Sequence, residues 1–473
     1  MKNTKYIYKY LISFFIAIVF TTVAYTQEYT MYGLSTLADR HVVNPAFTPD
    51  CDFYFGLPFL SSLNIGYENR GMKILEVLEN TDNLSSVLES HNSFAFDFRY
   101  SPIAFGFRKG KSFFTFDISN KTESGISLPK DLLNFMWNGN KDFIGKMADF
   151  SGLNIQASNY FEYSFGYSYQ VKENLRVGAK LKLLRGMVNF DTQKWDMGIF
   201  THEGTYIWDI HSDIRLNASL PLDPKFDDDD PEKLNELVGQ DLSGSDILND
   251  FMLRNKNRGM GIDIGGVYNY NEKITLSASV LDLFSSIKWR NNVLNIYQDT
   301  AFTWSGVDFS PLIDADNDID QDNLWEELMD SIADAFAIKS SEENYKTKIG
   351  PKFFLAGNYV VNNWLDAGAM VNGKFYNNHL YMAWSLVGNA KLTNFLNVSG
   401  TYTMFGSGSS NLGIGFAFNM GPMQIHFITD NILGVKYDSD LNVLWPATSQ
   451  NVDFRFGMSF VFGRKHGKYE ATD

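Results

Sequence analysis

The chain has 473 residues, a formal net charge of −15, 15% aromatic residues and one cysteine. Its acidity excludes nucleic acid as a partner, and a lone cysteine excludes an internal disulfide framework. The 40 Phe and 24 Tyr need a large apolar surface or core to absorb them.

Lys2, Lys5 and Lys9 precede the apolar run "LISFFIAIVFTTVAY". That run is too short to span a bilayer as a helix but suits a signal-peptide core. Ala24 and Thr26 precede Gln27 as a cleavage site, so residues 1–26 read as a signal peptide; an uncleaved anchor helix is the alternative. No later run approaches the roughly 18 apolar residues of a membrane helix. A membranous mature protein must then be a closed barrel, because in lipid only helices and closed sheets satisfy every backbone group. Residues 27–51 form a periplasmic N-terminal segment, in which Asn44-Pro45 and Pro49 act as punctuation before the first strand. Cys51 lies well past the apolar run, so it is not a lipidation site and reads as a small apolar filler.

From Phe53 onward apolar residues alternate with polar ones, as on a strand with one greasy face. In "NVDFRFGMSFVFG", Val452, Phe454, Phe456, Met458, Phe460 and Phe462 share one face, and Asp453, Arg455, Gly457 and Ser459 the other. Segments of this kind are predicted at 53–67, 94–108, 112–119, 159–171, 175–190, 258–270, 274–288, 351–361, 365–376, 379–388, 395–404, 411–420, 423–430 and 452–462. Tight connections at Lys109-Gly110-Lys111, Lys172-Glu173-Asn174, Asn271-Glu272, Asn362-Asn363, Gly388–Asn394 and Gly421-Pro422 fall on one rim, and every long connection on the other, together with two short ones near Asn377-Asn378 and Phe405–Ser410. Short periplasmic turns and long outer loops characterise bacterial outer-membrane barrels. The fold class is all-β, a transmembrane antiparallel β-barrel of about fourteen strands with short helices in long extracellular loops. It occupies 52–463, with a charged periplasmic tail at 464–473. Within the second strand the facing switches at Ser101-Pro102, which predicts a β-bulge.

The long connections carry the acidity. "LPKDLLNFMWNGNKDFIGKM" (128–147) reads as a short helix closed by Gly139, and Asp227–Asp230 as a solvated charge run. Asp316, Asp318, Asp320 and Asp322 recur at every second residue, with Glu327 placed as a bidentate carboxylate, and Leu324, Leu328, Ile332 and Phe336 follow as a helical stripe. Calcium favours such a cage of hard oxygens. Gln321 stands where that loop needs glycine, so a plain acidic surface loop is the alternative.

Taken in order, "NPAFTPDCDFYFGLP", "LPKDLLNFMWNGNKDFIG", "YFEYSFGYSY", "SASVLDLFSSIKW", "YKTKIGPKFFLAGNY" and "SNLGIGFAFNMGPMQIHFITDN" resemble Bacteroidota outer-membrane barrels of unknown function. That family is related to PorP/SprF-type and FadL-like barrels, and the resemblance spans nearly the whole mature chain. It implies an outer-membrane barrel in a Gram-negative envelope and no established chemistry. Related barrels imply passage of hydrophobic molecules, or an accessory role in type IX secretion, gliding motility or surface-protein assembly. Their hatch segments imply that residues 27–50 can tuck into the barrel as a plug. This chain departs at "LDLFSSIKW", where the family more often shows glycine after the Asp-Leu pair.

No zinc spacing, nucleophile elbow or phosphate loop is present, and "GSGSS" at Gly406 lacks a strand–turn–helix context. The expectation is a non-enzyme without a cofactor, calcium in an outer loop excepted. Gly413 and Gly415 read as lumenal packing, and Asp430-Asn431 as strand-ending turn chemistry rather than a ligand gate. Glu162, Arg176, Lys180, Lys182, Asp263 and Arg455 are the lumen-lining candidates, forming either a polar path or a salt-bridged block. The expected surroundings are outer-membrane lipid and lipopolysaccharide, with barrel-insertion machinery and secretion or surface proteins as candidate partners.

Overall fold

The computed structural model describes residues 28–70, 88–226, 234–239, 255–304, 338–376, 379–406, 410–432, 436–438, 443–445 and 451–464. The signal peptide, Asp227–Asp230, the Asp316–Glu327 calcium candidate with its helical stripe, and the tail beyond 464 lie outside the described residues.

Fourteen antiparallel strands close on themselves. They are β1 (Phe53–Gly56 and Ser62–Arg70), β2 (His91–Lys109), β3 (Ser112–Pro129), β4 (Asn154–Lys172), β5 (Leu175–Thr201), β6 (Arg258–Asn269) and β7 (Ile274–Trp289). The circuit continues with β8 (Tyr345–Lys348 and Lys352–Val360), β9 (Leu365–Tyr376), β10 (His379–Lys391), β11 (Leu396–Phe405), β12 (Ser410–Met420), β13 (Met423–Thr429) and β14 (Asn451–Phe462). β14 pairs back onto both pieces of β1 and leaves no edge.

Alternation decides which way each side chain points. On β14, Phe454 is 43% exposed on the outer face, whereas Arg455 is 2% exposed and faces the lumen. The same sorting exposes Phe107, Leu181, Met260, Leu276, Leu355, Leu386 and Phe427 around the circumference. An apolar belt of that extent is far larger than a monomer tolerates in water. Lipid satisfies it, and closure satisfies the backbone.

Three departures from the sequence expectation matter for the site. First, β2 to β5 run 18–27 residues, well beyond the roughly ten a tilted spanning strand needs. The upper part of β5 pairs with Trp208–Ser219, which pairs with Val293–Trp304, so a sheet projects past the barrel rim. Helix Lys130–Asn138 packs beside that sheet through Leu132 and Phe135. It ends at Gly139, whose φ of 67° explains the glycine stop. Second, β1 is not continuous: Leu57 to Ser61 leave the ladder, and Phe59 projects outward at 72% exposure. The facing break lies in β2, where the register shifts between Tyr100 and Ile103 around the proline. Third, β8 is interrupted at Ile349-Gly350-Pro351; proline cannot donate to a ladder.

Candidate functional site

Residues 28–51 run through the lumen rather than beneath it. The segment starts with helix α1 (Tyr29–Gly33), five residues long. The Asp430 carboxylate accepts the N–H groups of Tyr29 (3.2 Å) and Thr30 (2.8 Å), satisfying two helix-terminal donors. Asp430 therefore does more than end a strand, which its position in the sequence did not reveal. The chain then descends past β13, where Gln424 accepts the Ala38 N–H (3.0 Å) and donates to the Thr36 carbonyl (2.9 Å). It crosses to β3, where His41 Nε2 lies 2.9 Å from Asp117. It next meets β7, where Ser279 donates to the Val43 carbonyl (2.8 Å). Arg176 on β5 donates to Thr48, and Arg108 on β2 holds the Cys51 carbonyl (3.1 Å) at the entry to β1. Cys51 packs among Ala38, Tyr54, Phe113 and Val461, and burial pushes its thiol up to about 12.

The plug is seated by shape as well as by polar contacts. Tyr29, Met31, Tyr32, Leu34, Leu37 and Val43 form one apolar cluster with Leu281, Phe354, Met370, Ala383, Ala417 and Ile428 of the wall. Glycines on the wall leave room for it. A Cβ at Gly178 would overlap the Pro45 carbonyl, and one at Gly413 would overlap Thr30. Gly178→Ala is expected to unseat the plug while leaving the barrel closed, because the obstacle is plug backbone and overpacking costs about 1–3 kcal/mol. Tryptic cleavage after Arg40 should accelerate about tenfold with heat-modifiable gel mobility retained. An unchanged cleavage rate would refute this seating.

All six lumen-lining candidates point inward, and the structure makes most of them one network. Lys182 on β5 lies 2.7 Å from both Asp263 (β6) and Asp282 (β7), and 3.9 Å from Glu162 (β4). Lys121 on β3 closes the set at 2.6 Å from Glu162. Lys180 reaches Asp117 Oδ2 at 3.5 Å, the same oxygen that His41 Nε2 meets at 2.9 Å. Arg455 is committed to the plug, at 2.8 Å from Glu28, which Arg99 approaches at 3.6 Å. Burial works to raise the Glu28 carboxyl, but Arg455, Lys352 and Arg99 outweigh it and hold the group at about 2. Arg176 joins no ion pair among the described residues and serves Thr48 instead. These inward charges pair with one another and, through Arg455, with the plug. Sequence reasoning missed Lys121 because β3 seemed to end at 119. Yet Asp117, Ser119, Lys121 and Glu123 continue one inward parity, and that alternation was the available signal.

Above the plug the wall itself is irregular. On β7 the ladder to β8 pairs Leu281 with Lys352 and Ser286 with Lys348, so residues 282–285 face the β8 interruption. Asp282 and Phe284 both adopt φ of 58°, a left-handed conformation that costs a non-glycine residue roughly 1–2 kcal/mol. Phe284 is the residue that follows the Asp282-Leu283 pair. Its ring is 82% exposed. Asp282 is held in place by Lys182 and by its own N–H donating to Asp263 (2.7 Å). A cavity of ≈ 1030 Å³ adjoins this break. Its lining mixes lumen-facing Glu123, Tyr160 and Asn189 with outer-face Lys346, Lys348 and Phe375.

A closed, even-stranded antiparallel barrel with an apolar outer belt and an occupied lumen is a transmembrane barrel of the outer-membrane type. The chain belongs to a family of unknown function, DUF5723, whose model matches residues 45–430. No curated protein matches it. Among solved structures it is similar to the Ralstonia pickettii toluene transporter TbuX, with 9% identity, TM-score 0.45, and 91% of this chain and 95% of that chain covered. A Pseudomonas aeruginosa FadL homologue shows 10% identity, TM-score 0.46, and coverage of 94% and 100%. The Pseudomonas putida toluene transporter TodX shows 8% identity, TM-score 0.42, and coverage of 93% and 98%.

Proposed function

We propose that the protein is a transport barrel for hydrophobic or amphipathic solutes in the outer membrane of a Gram-negative, Bacteroidota-like bacterium. The observation that carries this reading is the cavity above the plug, which draws its lining from both faces of the wall where β7 and β8 lose their ladder. A solute entering from outside meets a polar vestibule and a side exit, while the lower lumen is held shut by the plug. Such a path suits a molecule with an apolar body, because a purely polar solute gains nothing from the side exit. Proteoliposomes carrying the full chain are expected to take up a labelled medium-chain fatty acid faster than a sugar of equal mass. Ser158→Trp, placed on the lumen face of the cavity, should slow fatty-acid uptake without altering heat-modifiable mobility. Equal uptake by the variant, or none by either protein, counts against transport.

A second reading is an accessory barrel that holds type IX secretion, gliding or surface-assembly partners. It is favoured by Met136 and Trp137, 72% and 55% exposed on the outer helix. A stable complex that Trp137→Ser abolishes, with no solute uptake, would decide for it.

A further inference from the structure

Four cations stand in one cross-strand row on the outside of the barrel. Arg185 on β5 pairs with Arg258 on β6, Arg258 with Lys288 on β7, and Lys288 with Lys346 on β8. Alternation fixes their facing: their neighbours Leu184, Ile287 and Trp289 are buried toward the lumen, while Leu183 and Met260, on the row's own face, are exposed. Lys348 lies two residues further along β8 on that face and is exposed.

Like charges directly opposed across strands repel, so such a row is destabilising unless something compensates it. Among the described residues, none of the five cations has a carboxylate within ion-pair distance. Inside the barrel the opposite holds, since Lys121, Lys180, Lys182 and Arg455 each meet an acid. Among the described residues the outer row has no compensating charge, which leaves a source outside them. Its height identifies the source. The row caps the apolar strip of Leu181, Leu183, Met260, Ile262 and Ile264 on its extracellular side, which is where lipid headgroups meet acyl chains. Neighbouring strands stand about 4.8 Å apart, so four positions span roughly 14 Å, enough for a headgroup with two phosphates.

We propose that Arg185, Arg258, Lys288, Lys346 and Lys348 form a binding site for a phosphorylated outer-leaflet lipid, its phosphates on the row and its acyl chains along the strip below. The proposal rests on the outer-membrane reading of the barrel and is independent of whether the barrel transports anything.

The test is titration of the full-length protein in neutral detergent with diphosphoryl lipid A, read by native mass spectrometry. Each cation neutralised should weaken binding about fivefold, so Arg258→Gln with Lys288→Gln should lose about 25-fold. Lys109→Gln with Lys111→Gln at the periplasmic turn should lose nothing. Lipid A stripped of both phosphates should not bind. Unchanged affinity in the row variant, or equal binding of the dephosphorylated lipid, overturns the proposal. Competition by millimolar inorganic phosphate as effective as that by lipid A also overturns it, because the site would then be one for free anions. Heat-modifiable mobility of each variant reports the barrel separately. Should the double variant fold poorly, Lys346→Gln and Lys348→Gln at the end of the row carry the same comparison.

Discussion

Lys182→Met is expected to be the most destabilising single substitution in the lumen, with a loss of about 3–5 kcal/mol, the range for stripping one partner from a buried ion pair. Lys182 is the shared cation of Asp263 and Asp282 at 2.7 Å each, with Glu162 at 3.9 Å. Without it, two carboxylates remain buried side by side, and the left-handed turn at Asp282 loses its anchor. Lys182→Met combined with Asp263→Asn and Asp282→Asn should recover much of the loss, because the uncompensated charge is then gone. Urea unfolding in detergent micelles, followed by the gel-mobility shift of the barrel, measures both. A single variant as stable as the parent, or a triple variant no better than the single, would refute the network as drawn.

Removing residues 28–46 should produce the largest functional change. In the intact chain that segment lies inside the lumen and contacts wall strands on every side, from Asp117 on β3 to Gln424 on β13. Its deletion is expected to raise the swelling rate of liposomes in small sugars at least several-fold, and unchanged swelling would mean that the wall side chains alone close the barrel. Acidification is not expected to mimic the deletion. A carboxylate held at about 2 by Arg455, Lys352 and Arg99 despite burial contributes its full stabilisation above about pH 4.5 and loses it only as the pH falls toward 2. As far as Glu28 governs seating, swelling of the intact protein at pH 5 and at pH 7 should be equal, and a barrel that opens at pH 5 would show that Glu28 does not govern it.

The wall was largely legible in the sequence because a transmembrane barrel writes its geometry locally. Each strand must alternate, each tight turn must sit on one rim, and a proline with a parity switch must bulge, as Ser101-Pro102 does. The lumen was legible only in part. Inward parity picked out Glu162, Arg176, Lys180, Lys182, Asp263 and Arg455, but it does not say which charge meets which. Asp282 escaped because the irregular backbone at 282–285 re-aims its side chain, and Asp430 escaped because turn chemistry accounted for it equally well.

By itself, then, the sequence determined the class of structure: fourteen alternating segments, their facing, and a proline-punctuated lead before the first of them. Each of these depends on contacts between near neighbours along the chain or on the two-residue period of a strand. Only the tertiary structure decided that the lead enters the lumen, that the inward charges pair with one another and with the lead, and that β7 and β8 part beside a cavity. The same holds for the row of Arg185, Arg258, Lys288 and Lys346. The contacts of the lead with the wall join residues up to 427 positions apart, and the row depends on register around a closed circuit, which no local pattern encodes.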